Sequence, residues 1–348
     1  MKNGKTRHVL VAGGAGFLGS HLCDALLAEG AHVVCLDSFG TGRRENLRHL
    51  SREPRFDLVE ADVIGPLPTR LRADSVFNLA CAASPPLYQA DPEHTMLTNV
   101  VGTRNLLRLA ESCGARFLQA STSEVYGDPE CHPQSEGYWG HVNPTGPRAC
   151  YDEGKRAAEA LTFDFARARR VEVRVARIFN TYGPRMRPDD GRVVSNVVTQ
   201  ALAGEAITVY GEGRQTRSFC YASDMIEGLM RLMAHDGAQG AGPLGPVNLG
   251  NPNELTVGDL VRRVLALTGS RSAVVNLPLP EDDPRRRRPD ISRAGALLGW
   301  APSTSLEAGL RATIAWFADE ARRTAHAAPP PRSARRAEGP RPVGLGLG

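Results

Sequence analysis

Lysine is nearly absent from this 348-residue chain: of 42 basic side chains only Lys2, Lys5 and Lys155 are lysines. A genomic preference for arginine would give the same bias, but it makes the one lysine in the chain interior informative. Paired cysteines are missing too. Cys23, Cys35, Cys81, Cys113, Cys131, Cys150 and Cys220 are odd in number, scattered and never spaced C-x-x-C, which argues against a disulfide scaffold and for reduced thiols in a cytoplasmic protein. No run of about 18 apolar residues and no secretory signal occurs, so no membrane partner is expected. The one Asn followed two residues later by Ser or Thr, Asn143, precedes Pro144 and is not a glycosylation acceptor. The nine histidines lack H-E-x-x-H or clustered ligand spacing, so no metal is expected. Net charge is only +4, swollen by an arginine-rich C-terminus, and no nucleic-acid partner follows from it.

What is present is the makings of a globular protein, 41% hydrophobic and 23% charged, with room for a substantial core in one or two domains. Short β-branched runs alternate with helical stretches through the first half. Strands are expected at 8–12, 32–37, 56–62, 75–80, 116–121 and 172–178, and helices at about 18–29, 93–111 and 152–168. With right-handed crossovers this order predicts an α/β fold, a doubly wound parallel sheet of the Rossmann kind. Beyond Asn180 the pattern becomes irregular, with Gly- and Pro-rich connections. Residues 1–180 are read as mainly a dinucleotide-binding domain, and 181–324 as mainly a smaller α/β substrate-binding region, with the chain crossing between them. The Pro-, Gly-, Ala- and Arg-rich stretch 325–348 reads as a disordered tail.

Directly after the first expected strand, Gly13, Gly16 and Gly19 fall three apart and a helix-compatible run follows. Gly13 permits a tight turn, Gly16 lets a diphosphate approach the backbone, and Gly19 allows close helix packing, while the helix N-terminus offers N–H donors and a positive dipole end. The second strand ends at Asp37, where a carboxylate would accept from adenosine ribose hydroxyls and repel a 2′-phosphate, favouring NAD over NADP. Arg43 and Arg44 fit two roles, partners of a 2′-phosphate or members of a solvated loop. Asp62 and Val63 are placed to flank the adenine, although a strand-end acid would sit there equally well.

Tyr151 and Lys155, in YDEGK, are four apart and share one helix face. A phenol has a pKa of about 10, and a neighbouring ammonium together with a nicotinamide's positive charge would lower it. Tyr151 would then take a proton from a sugar hydroxyl. A common spacing by itself, it gains weight from STSEVYGD, a polar turn after a strand, where parallel sheets bind ligands. Thr122 would bond the hydroxyl being oxidised, Glu124 offers a carboxylate for proton handling, and Ser123 fits a hydrogen-bonded turn.

GGAGFLGSH, STSEVYGDPE, HPQSEGYWGHVNP, CYDEGKR, ARIFNTYGPRM, DDGRVVSN, TVYGEGRQTRSF and VNLGNP together resemble the UDP-glucuronate decarboxylases of the extended short-chain dehydrogenase/reductase superfamily, along residues 8 to 320. The resemblance implies a UDP-sugar site lined by Asn180, Arg192, Tyr210, Gln215 and Arg217, with Ser84, Tyr88 and Asn99, and Arg287 beside the substrate carboxylate. It adds Phe17, Leu18, Ser38, Thr41, Gly42 and Leu79 to the NAD contacts, and implies a homodimer formed through helices near 94–111 and 152–168. In the run Arg285–Arg288 the other three arginines read as a solvated loop. Cys81 and Ala82 depart from the family's Ser and Pro, and the membrane anchor of animal relatives is not found, as in a bacterial-type cytoplasmic enzyme.

The implied chemistry begins with oxidation, because direct decarboxylation of a sugar acid leaves an unstabilised carbanion. A ketone at C4 places the C5 carboxylate β to a carbonyl; carbon dioxide leaves, C5 is reprotonated, and the hydrogen held by NADH returns to C4, giving UDP-xylose without net redox. Rival readings are a nucleotide-sugar 4,6-dehydratase, which carries Asp where Ser123 stands, a 4-epimerase, and a non-catalytic redox sensor, which commonly loses Tyr or Lys of the pair kept here as Tyr151 and Lys155.

Overall fold

A computed structural model describes residues 6–168, 170–236, 244–279 and 286–327. Its strands are β1 (His8–Ala12), β2 (His32–Asp37), β3 (Phe56–Glu60), β4 (Ser75–Asn78), β5 (Arg116–Thr122), β6 (Val173–Ile178), β7 (Thr181–Tyr182), β8 (Ile207–Tyr210), β9 (Thr216–Ser218), β10 (Cys220–Tyr221), β11 (Val247–Leu249), β12 (Glu254–Thr256), β13 (Val274–Leu277) and β14 (Arg286–Arg287). The α-helices are α1 (Phe17–Ala28), α2 (Pro85–Ala90), α3 (Pro92–Leu97), α4 (Thr103–Cys113), α5 (Ala149–Arg167), α6 (Val193–Ala203), α7 (Ala222–Ala234), α8 (Val257–Thr268), α9 (Ser292–Leu298) and α10 (Leu306–Ala327).

Seven strands form a parallel sheet in the order β3-β2-β1-β4-β5-β6-β11. Strand order reverses between β1 and β4, which opens a crevice at their carboxyl ends. Successive residues of β1 serve opposite faces, as the pleat requires. Val9 and Val11 join Leu22, Leu26, Met225, Leu229 and Trp300 on one side, while Leu10 and Ala12 join Leu106, Phe117 and Phe165 on the other. Thus α7 and β11, from beyond residue 181, return to the first sheet. A third core, with Val197, Val209, Leu260, Val264 and Phe317, holds together α6, β8, α8 and α10. Two short sheets there, β12-β9-β14 and β13-β8, face the crevice from the C-terminal side.

The six expected strands all form, the first two with the expected bounds and the other four differing at one end by one or two residues. The fourth stops at Asn78 because its Oδ1 accepts from Ala80 N and turns the chain, and the fifth runs on to Thr122. The single helix expected over 93–111 is instead α3, a π-helical turn at Thr98–Gly102, and α4. Gly102 packs so close to Val63 that a Cβ there would lie 2.5 Å from Cγ2, and Asn99 Nδ2 donates back to Thr95 O at 3.0 Å. The last helix runs through Ala327, three residues into the stretch read as disordered; residues 328–348 of that stretch lie outside the described residues.

Helix α5 is fixed to the sheet by a buried ion pair. Glu159 accepts from Arg177 Nε (2.9 Å) and Nη2 (2.7 Å) on β6 and from the Ser121 hydroxyl on β5, and Arg177 Nη1 also donates to Tyr126 Oη at 3.0 Å. Removing one partner leaves the other's charge in low dielectric. Glu159→Leu is therefore expected to cost about 3–5 kcal/mol. Urea unfolding followed by circular dichroism measures it, and a loss below about 1 kcal/mol would mean that the pair behaves like a solvated one.

Candidate active site

The glycine turn follows β1 and leads into α1. Gly13 has φ +78°, and a Cβ there would lie 2.7 Å from the Leu79 carbonyl, while one at Gly19 would collide with the Gly13 carbonyl oxygen. Only bare backbone lets α1 seat on the turn. No side chain caps the helix, so its first N–H groups are left for a ligand in the cleft lined by Gly13, Gly16, Phe17, Leu18, Gly19, Thr41 and Leu79. At the end of β2, Asp37 Oδ2 accepts from Ala15 N (2.9 Å) and Oδ1 from Phe39 N (2.8 Å). Burial pushes this carboxyl above the usual range, and the N–H groups of Phe39 and Ala15 oppose the shift. Gly42 packs on the carboxylate, where a Cβ would stand 2.6 Å from Oδ1. Ser38, beside it, is exposed.

The two loop arginines are both engaged by carboxylates, Arg43 by Glu320 of α10 and Arg44 by Glu60 of β3. Asp62 is likewise occupied, with Oδ1 accepting from Ile64 N at 2.9 Å and Oδ2 facing His94 Nε2 at 2.7 Å; Val63 is buried beside it. A diphosphate fits the open N-terminus of α1 and a ribose diol fits Asp37, so this cradle suits NAD.

At the inner end of the cleft stand Tyr151 and Lys155 of α5, both buried. Lys155 Nζ donates to Ala120 O at 3.0 Å and lies 5.7 Å from the Tyr151 ring centre. The Tyr151 hydroxyl is hydrogen-bonded to Thr122, and its ring stacks on Tyr88 at 4.9 Å. Burial pushes the Tyr151 phenol well above its ordinary range, with Cys81 adding to the shift and the Thr122 hydrogen bond opposing it. The Lys155 ammonium is itself pushed down by burial. The lowering expected from lysine alone is thus outweighed by desolvation, which penalises both charges.

A second cavity adjoins the first, with Thr122, Tyr151 and Arg192 lining both. Its walls carry Ser123, Glu124, Arg148, Asn180, Tyr210, Gln215, Arg217 and Arg287. Glu124 is held by Arg287, whose Nη1 and Nη2 reach its two oxygens at 2.6 and 2.8 Å, and by Arg148 Nη2 at 2.8 Å. Burial opposes charge on Glu124, but Arg287, Arg148 and Arg217 together bring its carboxyl below the usual range. Arg287 belongs to the edge strand β14, paired with β9; Arg286 is exposed and Arg285 lies outside the described residues.

Three residues assigned to the substrate by resemblance sit behind this wall. Ser84 precedes α2, Tyr88 stacks against Tyr151, and Asn99 donates to Thr95 O and to Cys81 Sγ at 3.3 Å; each is about 1% exposed and outside the cavity lining. Conversely, Arg148 was missed. Its signal was available: it stands three residues before Tyr151, one helical turn away. Arg185 and Arg187, contributed to the cofactor cleft by the β7–α6 connection, were missed as well. Among the described residues, no group of His, Cys, Asp and Glu could hold a metal, and no helix is long and apolar enough to cross a membrane.

Comparison with known proteins supplies the context. The model of the "NAD dependent epimerase/dehydratase family" matches residues 9–250. "UDP-glucuronic acid decarboxylase 1" of Danio rerio is 51% identical over 335 residues, covering 96% of this chain and 78% of its own. "UDP-glucuronic acid decarboxylase 2" of Arabidopsis thaliana is 55% identical over 306 residues, 88% of this chain and 67% of its own. Among solved structures, the UDP-glucuronic acid 4-epimerase of Bacillus cereus, in complex with UDP-glucuronic acid and NAD, superposes with a TM-score of 0.81 at 28% identity, over 90% of this chain and 99% of the other.

Replacing Asp37 by Ala removes both the ribose acceptor and the repulsion of a 2′-phosphate. The ratio of NADP to NAD dissociation constants, measured by fluorescence titration, is expected to fall toward unity. An unchanged ratio would make Asp37 an ordinary strand-end acid.

Proposed function

This chain belongs to the UDP-glucuronic acid decarboxylases, within the NAD dependent epimerase/dehydratase family, and on that premise we propose that it converts UDP-glucuronate to UDP-xylose and carbon dioxide. The observation that carries the reading is the junction of the two cavities, where Tyr151, Thr122 and Lys155 meet a carboxylate held by two guanidinium groups. Bound NAD supplies an acceptor, and afterwards a donor, for the C4 hydrogen and its electron pair.

Tyr151, whose hydroxyl is hydrogen-bonded to Thr122, takes the proton of the C4 hydroxyl, and Thr122 bonds and orients that hydroxyl in turn. Because burial disfavours the phenolate, the phenol depends on the positive charges around the C4 position for its ionisation. Lys155, anchored on Ala120 O, is one of them and stays fixed relative to β5. The C4 ketone makes the sugar a β-keto acid; carbon dioxide departs, the electrons rest in an enolate, and C5 is reprotonated. Tyr151 then returns its proton as C4 is reduced, so no net redox occurs.

Arg192 and Arg217 are assigned to the diphosphate, Tyr210 and Gln215 to the nucleotide, and Arg287 to the sugar carboxylate, where a planar fork distinguishes an acid from a neutral hexose. Ser123 stands where a dehydratase would need an acid for the C6 hydroxyl. The protein is further assigned to the cytoplasm, a setting in keeping with seven free thiols.

Incubating the protein with UDP-glucuronate and NAD while following carbon dioxide and nucleotide-sugar mass tests the reaction. A product of unchanged mass, or one lighter by water alone, would replace it with epimerisation or dehydration. Tyr151→Phe is expected to lower turnover by about two to four orders of magnitude with NAD binding intact; near-normal turnover would remove Tyr151 from the proton's path. A homodimer through α3, α4 and α5 is also proposed, supported by the packing of α3 and α4 against α5 and by Leu97, which remains 36% exposed there. Sedimentation is expected to show a dimer that Leu97→Glu weakens, and a monomeric wild type would refute it.

A further inference from the structure

Residues 183–192, between β7 and α6, border both cavities. Arg185, Arg187, Asp190 and Arg192 line the cofactor cleft, while Met186, Gly191 and Arg192 line the cavity assigned to the nucleotide sugar. The same connection is clamped onto α1, the helix whose uncapped N-terminus suits the cofactor's diphosphate. His21 Nε2 donates to Pro184 O at 2.9 Å, and Arg185 Nη2 donates to Asp24 Oδ2 at 2.6 Å. Phe17, the first residue of α1, has the Arg192 guanidinium over its ring, 5.7 Å from the centre.

Two features oppose this clamp, and both fall on Arg185. Its φ is +69°, a left-handed conformation that is strained for any residue but glycine. Its Nη1 is buried without a hydrogen-bond partner, so that donor has lost water and gained nothing in exchange. The clamped arrangement is therefore held by Asp24 and His21 against strain and an unpaired donor. A diphosphate bound in the cleft that Arg185 lines offers the donor an acceptor, which favours the clamped state over a released one.

We propose that Arg185 is a positioning residue through which bound cofactor fixes the connection 183–192 and so presents Arg192 to the diphosphate of the nucleotide sugar. The proposal rests on the reading of a UDP-sugar as substrate. A ligand shifts such an equilibrium only by binding its two states unequally. The cofactor meets Arg185 and α1 together only in the clamped state, and the nucleotide meets Arg192 in place beside Gly191 only there. Each ligand then raises the affinity for the other by the same factor. Arg185 is not part of the wall of the nucleotide-sugar cavity; it acts through the backbone that joins it to Arg192.

UDP is the probe, because it carries the nucleotide's diphosphate and has no sugar to reach Tyr151 or the nicotinamide. Its dissociation constant is measured by calorimetry with no added NAD and with saturating NAD. In the wild type, NAD is expected to tighten UDP binding roughly fivefold or more. Asp24 lines neither cavity, so Asp24→Asn weakens the clamp without removing a contact to either ligand. Without NAD this variant is expected to bind UDP roughly fivefold more weakly than the wild type, and with saturating NAD to come within about twofold of it. That recovery also shows the variant to be folded. In Arg185→Ala, which deletes the group that engages the cofactor, saturating NAD is expected to leave most of the loss in place. The proposal is overturned by UDP affinity in the wild type that NAD does not change, by an Asp24→Asn loss of equal size with and without NAD, or by full recovery of Arg185→Ala. In each of those cases carbon dioxide release from UDP-glucuronate by the wild type leaves the functional reading standing. A wild type that binds no UDP under either condition would overturn that reading and the proposal with it.

Discussion

Glu159 reaches from the middle of α5 to Arg177 on β6 and Ser121 on β5, and this buried contact sets where the first half of α5 must lie. Lys155, one turn earlier, then falls on Ala120 O, Tyr151 falls beside Thr122, and Arg148 falls on Glu124. One helix with its N-cap thus delivers three functional side chains, Lys155, Tyr151 and Arg148, to the carboxyl end of β5 and the turn that follows it. Sites built on regular elements in this way hold their geometry better than loops do.

Within that geometry, burial works against every charge, and the site differs from group to group in what opposes it. The Tyr151 phenol and the Lys155 ammonium are both driven toward their neutral forms. Glu124 faces the same penalty, yet Arg287, Arg148 and Arg217 more than offset it. The protein accordingly keeps its carboxylate ionised and its tyrosine protonated at rest, a separation of charge states that proton-transfer chemistry can use. Asp37 is a milder case, where burial is only partly opposed by two backbone N–H groups.

The parts of this site legible in the sequence were those encoded by local spacing. Gly13, Gly16 and Gly19 with Asp37 fall within one consecutive β1–α1–β2 unit, and Tyr151 with Lys155 within one helix, so short sequence distances translate into space. The strands were legible because each is a short β-branched run set between helical stretches, as befits a sheet whose central strands are buried on both faces. What escaped depended on contacts between distant segments. The π-helical break at Thr98–Gly102 reflects Val63 crowding Gly102 from another element. The stacking of Tyr88 on Tyr151 and the contact of Asn99 with Cys81 likewise join separate segments that no local motif links. The pairing of Arg287 with Glu124 joins residues 163 apart, and nothing in either local motif announces it.

The contact between Arg43 and Glu320 carries a temporal meaning as well as a spatial one. The loop that follows Asp37 is tied to a carboxylate 277 residues further along the chain. During synthesis the glycine turn, Asp37 and the whole parallel sheet leave the ribosome long before α10 does. Until α10 is made, the residues of the cradle are therefore present without the carboxylate that ties their loop to the far end of the sequence.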